Sequence, residues 1–247
     1  MLMMNYIETK PHWDLSPFIN FFWELKGMES DYHWERVFPD GCLGILINLG
    51  KNCLTDNGSR SLKFGKTYVV GAMTSFKDTL IDRHSHLVGA CLRPATFSNF
   101  YNYTPENILH NDTIEFDVPD GLNADKIIND PIEYLNRYFT ERNSKRTNIL
   151  NSVINDIDAS NGQLRINEIS RRNHMNIRQL ERNFKKHVGM SPKEYSNIVR
   201  FRNALAIIKG TTQNRSLSDI SFECGYFDHS HLFHEIKRIT GKYPSQL

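Results

Sequence analysis

Residues 180–192 read LERNFKKHVGMSP, and the same pattern returns 52 residues later at 232–244 as LFHEIKRITGKYP. Each copy has a leucine, an apolar residue four positions on, and then lysine, glycine and proline at fixed spacing. The two apolar residues share one helix face, whereas glycine followed three residues later by proline ends a helix. Ile169-Ser170 and Ile220-Ser221 precede the copies at an offset of 51. The repeat predicts two units, each made of a helix, a short turn and a second helix.

Local signals mark where the second helix of each unit begins. Asn176 and Asp228 are preferred N-cap residue types, and they directly precede the two helices. His174 and Gly225 fall in the preceding turns, where glycine takes a positive φ without cost and histidine tolerates one better than most residues. Both units therefore carry the sequence signals of a helix-turn-helix.

A long helix is predicted between the two units. Ser191-Pro192-Lys193-Glu194 combines a capping box with proline at the first helical position. Apolar residues then recur every three or four positions until Gly210, which predicts a helix of about 19 residues and roughly 28 Å. A connection of this length suits two units that enter successive major grooves of DNA, about 34 Å apart.

Charge divides the chain into an acidic front and a basic back. Residues 1–146 carry 15 Lys and Arg against 19 Asp and Glu, a net −4, whereas residues 147–247 carry 15 against 9, a net +6. The division suggests two domains, with a surface for polyanions in the second. The 247 residues are 39% hydrophobic without a membrane-length apolar run or a secretory leader, so we expect a folded, cytoplasmic protein with no membrane partner.

The front part is predicted to be β-rich. Short apolar runs at 18–25, 42–49, 68–71 and 87–92 are separated by Gly, Pro and Asn, which is typical of an antiparallel barrel or sandwich. Asn57-Gly58 predicts a hairpin, and 95–101 and 105–110 are expected to form short helices. The four cysteines (Cys42, Cys53, Cys91 and Cys224) are expected to be buried free thiols, with a Cys42/Cys53 redox pair as an unsupported alternative.

These patterns predict an α+β protein in three parts. Residues 1–118 form an antiparallel β-barrel-like, cupin-like domain with helices, and 119–146 form a helical linker region after a break at 118–121. Residues 147–247 form an all-α domain of two helix-turn-helix units joined by a long helix. In the linker region, apolar residues from Ile132 to Phe139 at helical spacing fit either a dimerising helix or one docked on its own barrel.

Aromatic and histidine residues of the front part are candidates for a ligand pocket. His84 and His86 would share one face of a strand, as metal-binding pairs do in some barrels, but the expected third ligand is missing after them. We therefore predict no metal and no cofactor. Trp23, Trp34, His84 and His86 are the candidates for an effector pocket.

Residues 147–247 resemble the DNA-binding region of the AraC/XylS family of bacterial transcription regulators. The matching positions are Ile169-Ser170, Leu180, Arg182, Phe184-Lys185, Gly189, Ser191-Pro192, Tyr195, Arg200, Ala204, Ile220, Cys224-Gly225-Tyr226, Asp228, Ser230-His231-Leu232, Ile236-Lys237, Gly241 and Tyr243-Pro244. Ser170 and Ser221 replace a usual alanine, His174 a usual glycine, and His234 a usual arginine at a base-reading position. More weakly, Phe38–Cys42 and Gly89–Pro94 resemble a regulatory barrel found in some members.

The resemblance implies which side chains read DNA. Base contacts are expected from one face of each second helix: Arg178, Glu181 and Arg182 in the first unit, and His229, Ser230, Phe233 and His234 in the second. Phosphate contacts are expected from lysine and arginine one turn further on: Lys185, Lys186, Lys237 and Arg238.

Three functions are compatible with these sequence features. The leading one is a sequence-specific transcriptional regulator, not an enzyme, whose first domain senses a small molecule or mediates dimerisation. Its partners would be double-stranded DNA, a small-molecule effector or a second copy, and RNA polymerase if it is an activator. The alternatives are a metal-dependent cupin-like enzyme with a helical appendage, which the incomplete histidine set disfavours, and a DNA-repair alkyl-acceptor protein. The latter would need a clustered zinc-cysteine site, which Cys42, Cys53 and Cys91 are too few and too badly spaced to provide.

Overall fold

The fold is described from a computed structural model that covers residues 4–28, 31–101, 110–117, 121–210 and 215–246. The expected short helix at 105–110 and the break at 118–121 lie almost wholly outside the described residues. We call the described part of 4–142 the sheet domain and that of 147–246 the helical domain.

Ten strands are described in the sheet domain. They are β1 (Met4–Thr9), β2 (Ile19–Gly27), β3 (His33–Val37), β4 (Leu43–Asn48), β5 (Cys53–Thr55), β6 (Arg60–Leu62), β7 (Thr67–Val70), β8 (Lys77–Ile81), β9 (His86–Leu92) and β10 (Thr113–Glu115). A six-stranded sheet has the order β1-β2-β9-β4-β7-β10, and β3-β8 and β5-β6 form two small sheets. Every strand pair is antiparallel, as predicted. The predicted hairpin at Asn57-Gly58 joins β5 to β6 through residues with positive φ.

Side chains alternate between two cores across the six-stranded sheet. In β4, Leu43, Ile45 and Ile47 face one core, and Leu46 faces the other. The first core is closed by α1 (Ala124–Ile127) and α2 (Pro131–Arg142), and the second by residues of the small sheets. This period of two is what the apolar runs predicted.

Helix α2 docks on its own sheet. The Phe139 ring stacks on Phe22 of β2 with 5.9 Å between ring centroids, and Leu135 and Tyr138 are buried in the same core. These contacts bury the apolar face of α2 inside the sheet domain. Of the two interpretations of this helix, they favour docking on its own barrel over dimerisation. The helix expected at 95–101 is only a 3₁₀ turn, Phe97–Asn99, and it cannot begin at Ala95, whose φ of +64° is not helical.

Six helices of the helical domain are described. They are α3 (Asn151–Ala159), α4 (Ile166–Arg172), α5 (Ile177–Val188), α6 (Pro192–Gly210), α7 (Leu217–Glu223) and α8 (His229–Thr240). Helices α4 and α5 form the first helix-turn-helix unit, and α7 and α8 form the second. The first half of α6 packs with Leu180 and Phe184, and its second half packs with Leu232 and Ile236. Helix α6 thus contributes residues to two separate cores.

The local signals at each unit act as the sequence predicts. The Asn176 side chain accepts a hydrogen bond from Gln179 N at 2.9 Å, and Asp228 accepts one from His231 N at 2.7 Å. Both helices end at a left-handed glycine, Gly189 or Gly241. The turns likewise hold positive φ, +51° at His174 and +71° at Gly225.

Serines at two usual alanine positions are accommodated by hydrogen bonds. The buried Ser170 hydroxyl donates to the Met175 carbonyl, and the Ser221 hydroxyl donates to Ser218 O at 2.7 Å. Each added polar atom is therefore paired, which removes the cost of burying it. The α+β class is confirmed, and among the described residues no helix is both long and apolar enough to cross a membrane.

Candidate nucleic-acid interface and interdomain cavity

Helix α5 presents a basic face to solvent. Leu180, Phe184 and Val188 bury its opposite side. The exposed side chains are Arg178, Glu181, Arg182, Lys185 and Lys186, which are the five predicted DNA contacts of the first unit. Within the described ranges, no ion pair holds Arg178, Arg182 or Lys185. The guanidinium groups therefore keep their donors available for base edges and phosphates.

Helix α8 presents a different face. His229, Ser230 and His234 are exposed, as predicted, whereas Phe233 is half-buried against Tyr243 with 5.3 Å between ring centroids. Lys237 lies 4.0 Å above the Tyr243 ring and donates to Gly241 O at 2.9 Å. The second unit thus offers imidazoles where the first offers guanidinium groups.

The C-terminal end of α8 is bound to the sheet domain. Phe76 N donates to Ile239 O at 2.9 Å, and Arg36 Nη1 donates to Thr240 O at 3.1 Å. Arg238 forms two hydrogen bonds with Glu235, at 2.9 and 2.8 Å, and a longer one, 3.4 Å, with Thr74 O. The carbonyls of Ile239 and Thr240, at the end of α8, therefore find their hydrogen-bond donors across the domain boundary.

Arg36 is fixed in this position by its neighbours. Its guanidinium binds both carboxylate oxygens of Asp78 at 2.7 Å and lies 3.8 Å from the centre of the Phe76 ring. The hydrogen bond to Asp78 raises the Arg36 pKa. Gly241 makes the contact possible, because a Cβ there would lie 2.5 Å from Phe76.

The first unit also contacts the sheet domain. Ala72 and Ala95 belong to the same buried cluster as Leu180 and Phe184. His110 Nδ1 lies 3.0 Å from Gly189 O at the end of α5. Arg202 of α6 donates to Asp40 O at 2.9 Å. Both units and the helix between them are thus connected to the sheet domain.

A cavity of about 770 Å³ lies between the two domains. Three cationic side chains line it, Lys10 and Arg93 from the sheet domain and Arg202 from α6. Apolar atoms come from Pro17, Phe21, Ile154 and Val199, and carboxylates from Glu8, Asp40 and Asp158. Burial raises the pKa of Asp158, although a hydrogen bond from Tyr195 at 2.9 Å opposes this shift.

The four residues predicted for the effector pocket lie outside this cavity. Among the described residues that line the cavity, none is Trp23, Trp34, His84 or His86. The expectation that both histidines lie on one strand is wrong for His84, because Asp82 Oδ1 accepts its N–H at 2.9 Å and holds it in the turn before β9. His86 begins β9 and pairs with Glu24 at 2.8 Å.

The two tryptophans lie in the strands of the sheet domain, away from the cavity. Trp23 lies against Gly89 of β9, where an added Cβ would come within 2.6 Å of the indole. Trp34 is half-exposed on β3. The cavity residues Lys10, Arg93 and Arg202 were missed by sequence reasoning, since they are far apart in the chain and meet only at the domain boundary.

Comparisons with known proteins agree with this geometry. A family described as a helix-turn-helix domain matches residues 169–247, and a domain of unknown function (DUF6597) matches residues 7–115. The fold is similar to ToxT from Vibrio cholerae over 99% of this chain and 97% of that chain, with a TM-score of 0.54 and 10% identity. ToxT bound to (E)-4-(8-methylnaphthalen-1-yl)but-3-enoic acid matches 99% of this chain and 98% of that chain, with a TM-score of 0.50 and 11% identity. No curated protein matches the sequence.

The repeated units, their exposed helix faces and the family match define a DNA-binding protein of the helix-turn-helix class. Within that class, the chain is a transcriptional regulator whose residues 169–247 form an AraC-type helix-turn-helix domain, so the resemblance found in this part of the sequence is confirmed.

Proposed function

We propose that a small molecule with an acidic group binds in the interdomain cavity and controls how the two helix-turn-helix units meet DNA. The observation that carries this proposal is the make-up of the cavity, whose cations come from both domains. A ligand that pairs with Arg93 and Arg202 together would connect the sheet domain to α6. Such a ligand distinguishes one arrangement of the domains from another, as an effector must.

The chemistry of the lining indicates the class of effector. Lys10, Arg93 and Arg202 suit a carboxylate, because charge-assisted hydrogen bonds are the strong ones. Phe21, Ile154 and Val199 suit an apolar body attached to it. The acid bound to ToxT, a naphthalene ring on a butenoic acid, has both features. We therefore propose an amphipathic carboxylic acid.

The interface at α8 provides a route from the cavity to DNA. Arg36 and Phe76 hold Ile239 and Thr240 at the end of the second recognition helix. A shift of the sheet domain against α6 would also move these contacts. In this proposal, bases are contacted by Arg178, Glu181, Arg182, His229, Ser230, Phe233 and His234. Phosphates are contacted by Lys185, Lys186 and Arg238, whereas Lys237, predicted from the sequence as a fourth phosphate contact, stays bound to Gly241 O and the Tyr243 ring.

We also infer the partners of the protein and the compartment in which it acts. The protein acts on double-stranded DNA in the cytoplasm without catalysing a reaction. It pairs with a second copy of itself when its operator contains two half-sites, and it meets RNA polymerase there if it activates.

The test is selection of bound DNA from a random pool, followed by affinity measurements with and without a naphthalene-substituted butenoic acid as probe. We expect one preferred site, an affinity for it that the probe changes, and direct binding of the probe to the protein. Arg93→Gln should weaken probe binding about 10- to 100-fold, the loss of one charge-assisted hydrogen bond. Lys63→Gln, an exposed lysine outside the cavity lining, is the matched control. A pool without any enriched sequence would contradict the DNA-binding role, and a probe that does not bind would contradict the effector class.

A further inference from the structure

Two cysteines and an aspartate meet beside the interdomain cavity. The Sγ atoms of Cys42 and Cys91 and a carboxylate oxygen of Asp40 all lie within 4.8 Å of one another. Cys91 Sγ donates to Asp40 Oδ2 at 3.2 Å, and Cys42 N donates to Asp40 Oδ1 at 2.8 Å. Both cysteines are buried, with 7% and 4% of their surfaces exposed. The three donor groups therefore point into one small volume.

The strand register explains how distant residues come together. Gly44 of β4 pairs with Cys91 of β9, so Cys42, two residues earlier, lies diagonally across from Cys91. Gly41 has φ +80° and turns the chain, so that the residues on both sides of it reach the same point. Tyr195 of α6 covers this glycine, since a Cβ there would come within 2.6 Å of its ring. The helical domain thus closes one side of the cluster.

These distances suit a metal ion. Zinc binds thiolate sulfur at about 2.3 Å and carboxylate oxygen at about 2.0–2.2 Å in tetrahedral geometry, so its donor atoms lie roughly 3.5–3.8 Å apart. The pair of Cys91 and Asp40 is already near this spacing, and the third donor needs to move by about 1 Å. Two sulfurs with one carboxylate are a donor set for a thiophilic cation such as Zn²⁺.

Neighbouring groups support the binding of such an ion. Asn20 Nδ2 donates to Cys42 Sγ at 2.8 Å and lies 3.9 Å from Cys91 Sγ, so its amide stabilises negative charge on sulfur. Asp40 and Cys42 line the cavity, which leaves a fourth coordination position for water. Two thiolates, one carboxylate and a divalent ion carry one net negative charge, which Arg93 and Arg202 of the same cavity offset.

We propose that Asp40, Cys42 and Cys91 form a binding site for a thiophilic divalent cation, with Zn²⁺ as its probe. On binding, two S–H bonds break, their protons go to solvent and two metal–sulfur bonds form, so no oxidant or reductant is needed. The site goes beyond the proposed function, because it binds the ion without DNA or effector. It also fixes Asp40, whose carbonyl accepts the hydrogen bond from Arg202 of α6.

The test uses the reduced full-length chain and Co²⁺ as a spectroscopic stand-in for Zn²⁺. We expect one Co²⁺ per chain with a thiolate-to-metal charge-transfer band and the visible bands of tetrahedral cobalt, both removed by Zn²⁺. Cys91→Ser should abolish these bands, and Asn20→Ala should weaken binding about 10- to 100-fold. Cys53→Ser, which removes a buried thiol that is not part of the cluster, is the matched control and should keep them.

A second measurement uses the wild-type chain, so that the test does not depend on whether the variants fold. In the wild-type chain, Zn²⁺ should slow alkylation of Cys42 and Cys91 but not of Cys53 and Cys224, as mapped by peptide mass. Bands retained in Cys91→Ser would place the ion elsewhere and overturn the proposal. So would a Cys42–Cys91 disulfide formed with hydrogen peroxide in a chain that binds no cobalt. DNA binding by the same metal-free preparation is measured separately, so failure of this site leaves the proposed function standing.

Discussion

The two helix-turn-helix units share a backbone plan and differ in what they show to solvent. Both have a side-chain N-cap, a positive-φ turn and a left-handed glycine at the end of the second helix. Helix α5 has exposed arginine at 182, whereas α8 has exposed histidine at the equivalent position 234. The repeat thus preserves the positions that build each unit, whereas the exposed positions of the second helix differ between the two copies.

The units also differ in how they contact the rest of the molecule. The exposed cations Arg178, Arg182 and Lys185 of α5 extend from the domain without ion pairs among the described residues. In α8, Lys237 is bound to the helix end and Arg238 to Glu235 and Thr74. We infer that the first unit supplies more of the electrostatic attraction to DNA than the second.

The largest expected effect concerns the two cores of the helical domain, one for each unit. Leu180 and Leu232 are equivalent in the repeat and have no exposed surface. Each change to alanine should lower the free energy of unfolding by about 2–5 kcal/mol, because it removes buried apolar atoms and leaves a cavity. Denaturant unfolding of the full chain measures both, and Leu217→Ala at the half-exposed start of α7 should cost much less. A Leu232→Ala cost as small as that of Leu217→Ala would show that the second unit is not a packed equivalent of the first.

The two units show which parts of the fold could be predicted from the sequence. Their helices, caps and turns depend on residues close in the chain, so spacing and residue type were enough to predict them. The predicted rod from 192 to 210 agrees with α6 for the same reason. The docking of α2 on its own sheet was left open, because an apolar helix face does not reveal which surface will cover it.

The sites at the domain boundary could not be predicted in this way. Arg93 and Arg202 line one cavity only because α6 packs on the sheet domain. Cys42 and Cys91 are 49 residues apart and meet through the register of β4 and β9, which cysteine spacing does not contain. The sequence predicted only buried free thiols, with a Cys42/Cys53 pair as an unsupported alternative, whereas the thiol that lies next to Cys42 is that of Cys91.

The second prediction compares the base-reading positions. Arg182→Ala should cost about 1–3 kcal/mol of binding free energy on the selected DNA site, because a guanidinium binds guanine through two hydrogen bonds. His234→Ala should cost less than about 1 kcal/mol, since an imidazole offers a single such contact. Affinities on the selected site and on random DNA measure both changes. The contrast between the units would be wrong if the two variants lost equal affinity, or if Arg182→Ala lost as much on random DNA as on the selected site.

The smallest effect is expected at the equivalent lysines, Lys185 and Lys237. Lys185 is exposed, so its contact with a phosphate should release about one counterion, and Lys185→Ala should flatten the slope of log K against log salt by about 0.9. Lys237 is already bound to Gly241 O and the Tyr243 ring, so Lys237→Ala should leave the slope nearly unchanged. Its cost should appear instead as a loss of about 0.3–1 kcal/mol in stability, because the lysine stabilises the C-terminal end of α8. Titrations at several salt concentrations separate the two results, with Lys63→Ala in the sheet domain as the control that should change neither quantity. Equal changes in slope for Lys185→Ala and Lys237→Ala would mean that Lys237 leaves its helix end to meet DNA, and the second unit would then contribute as much charge as the first.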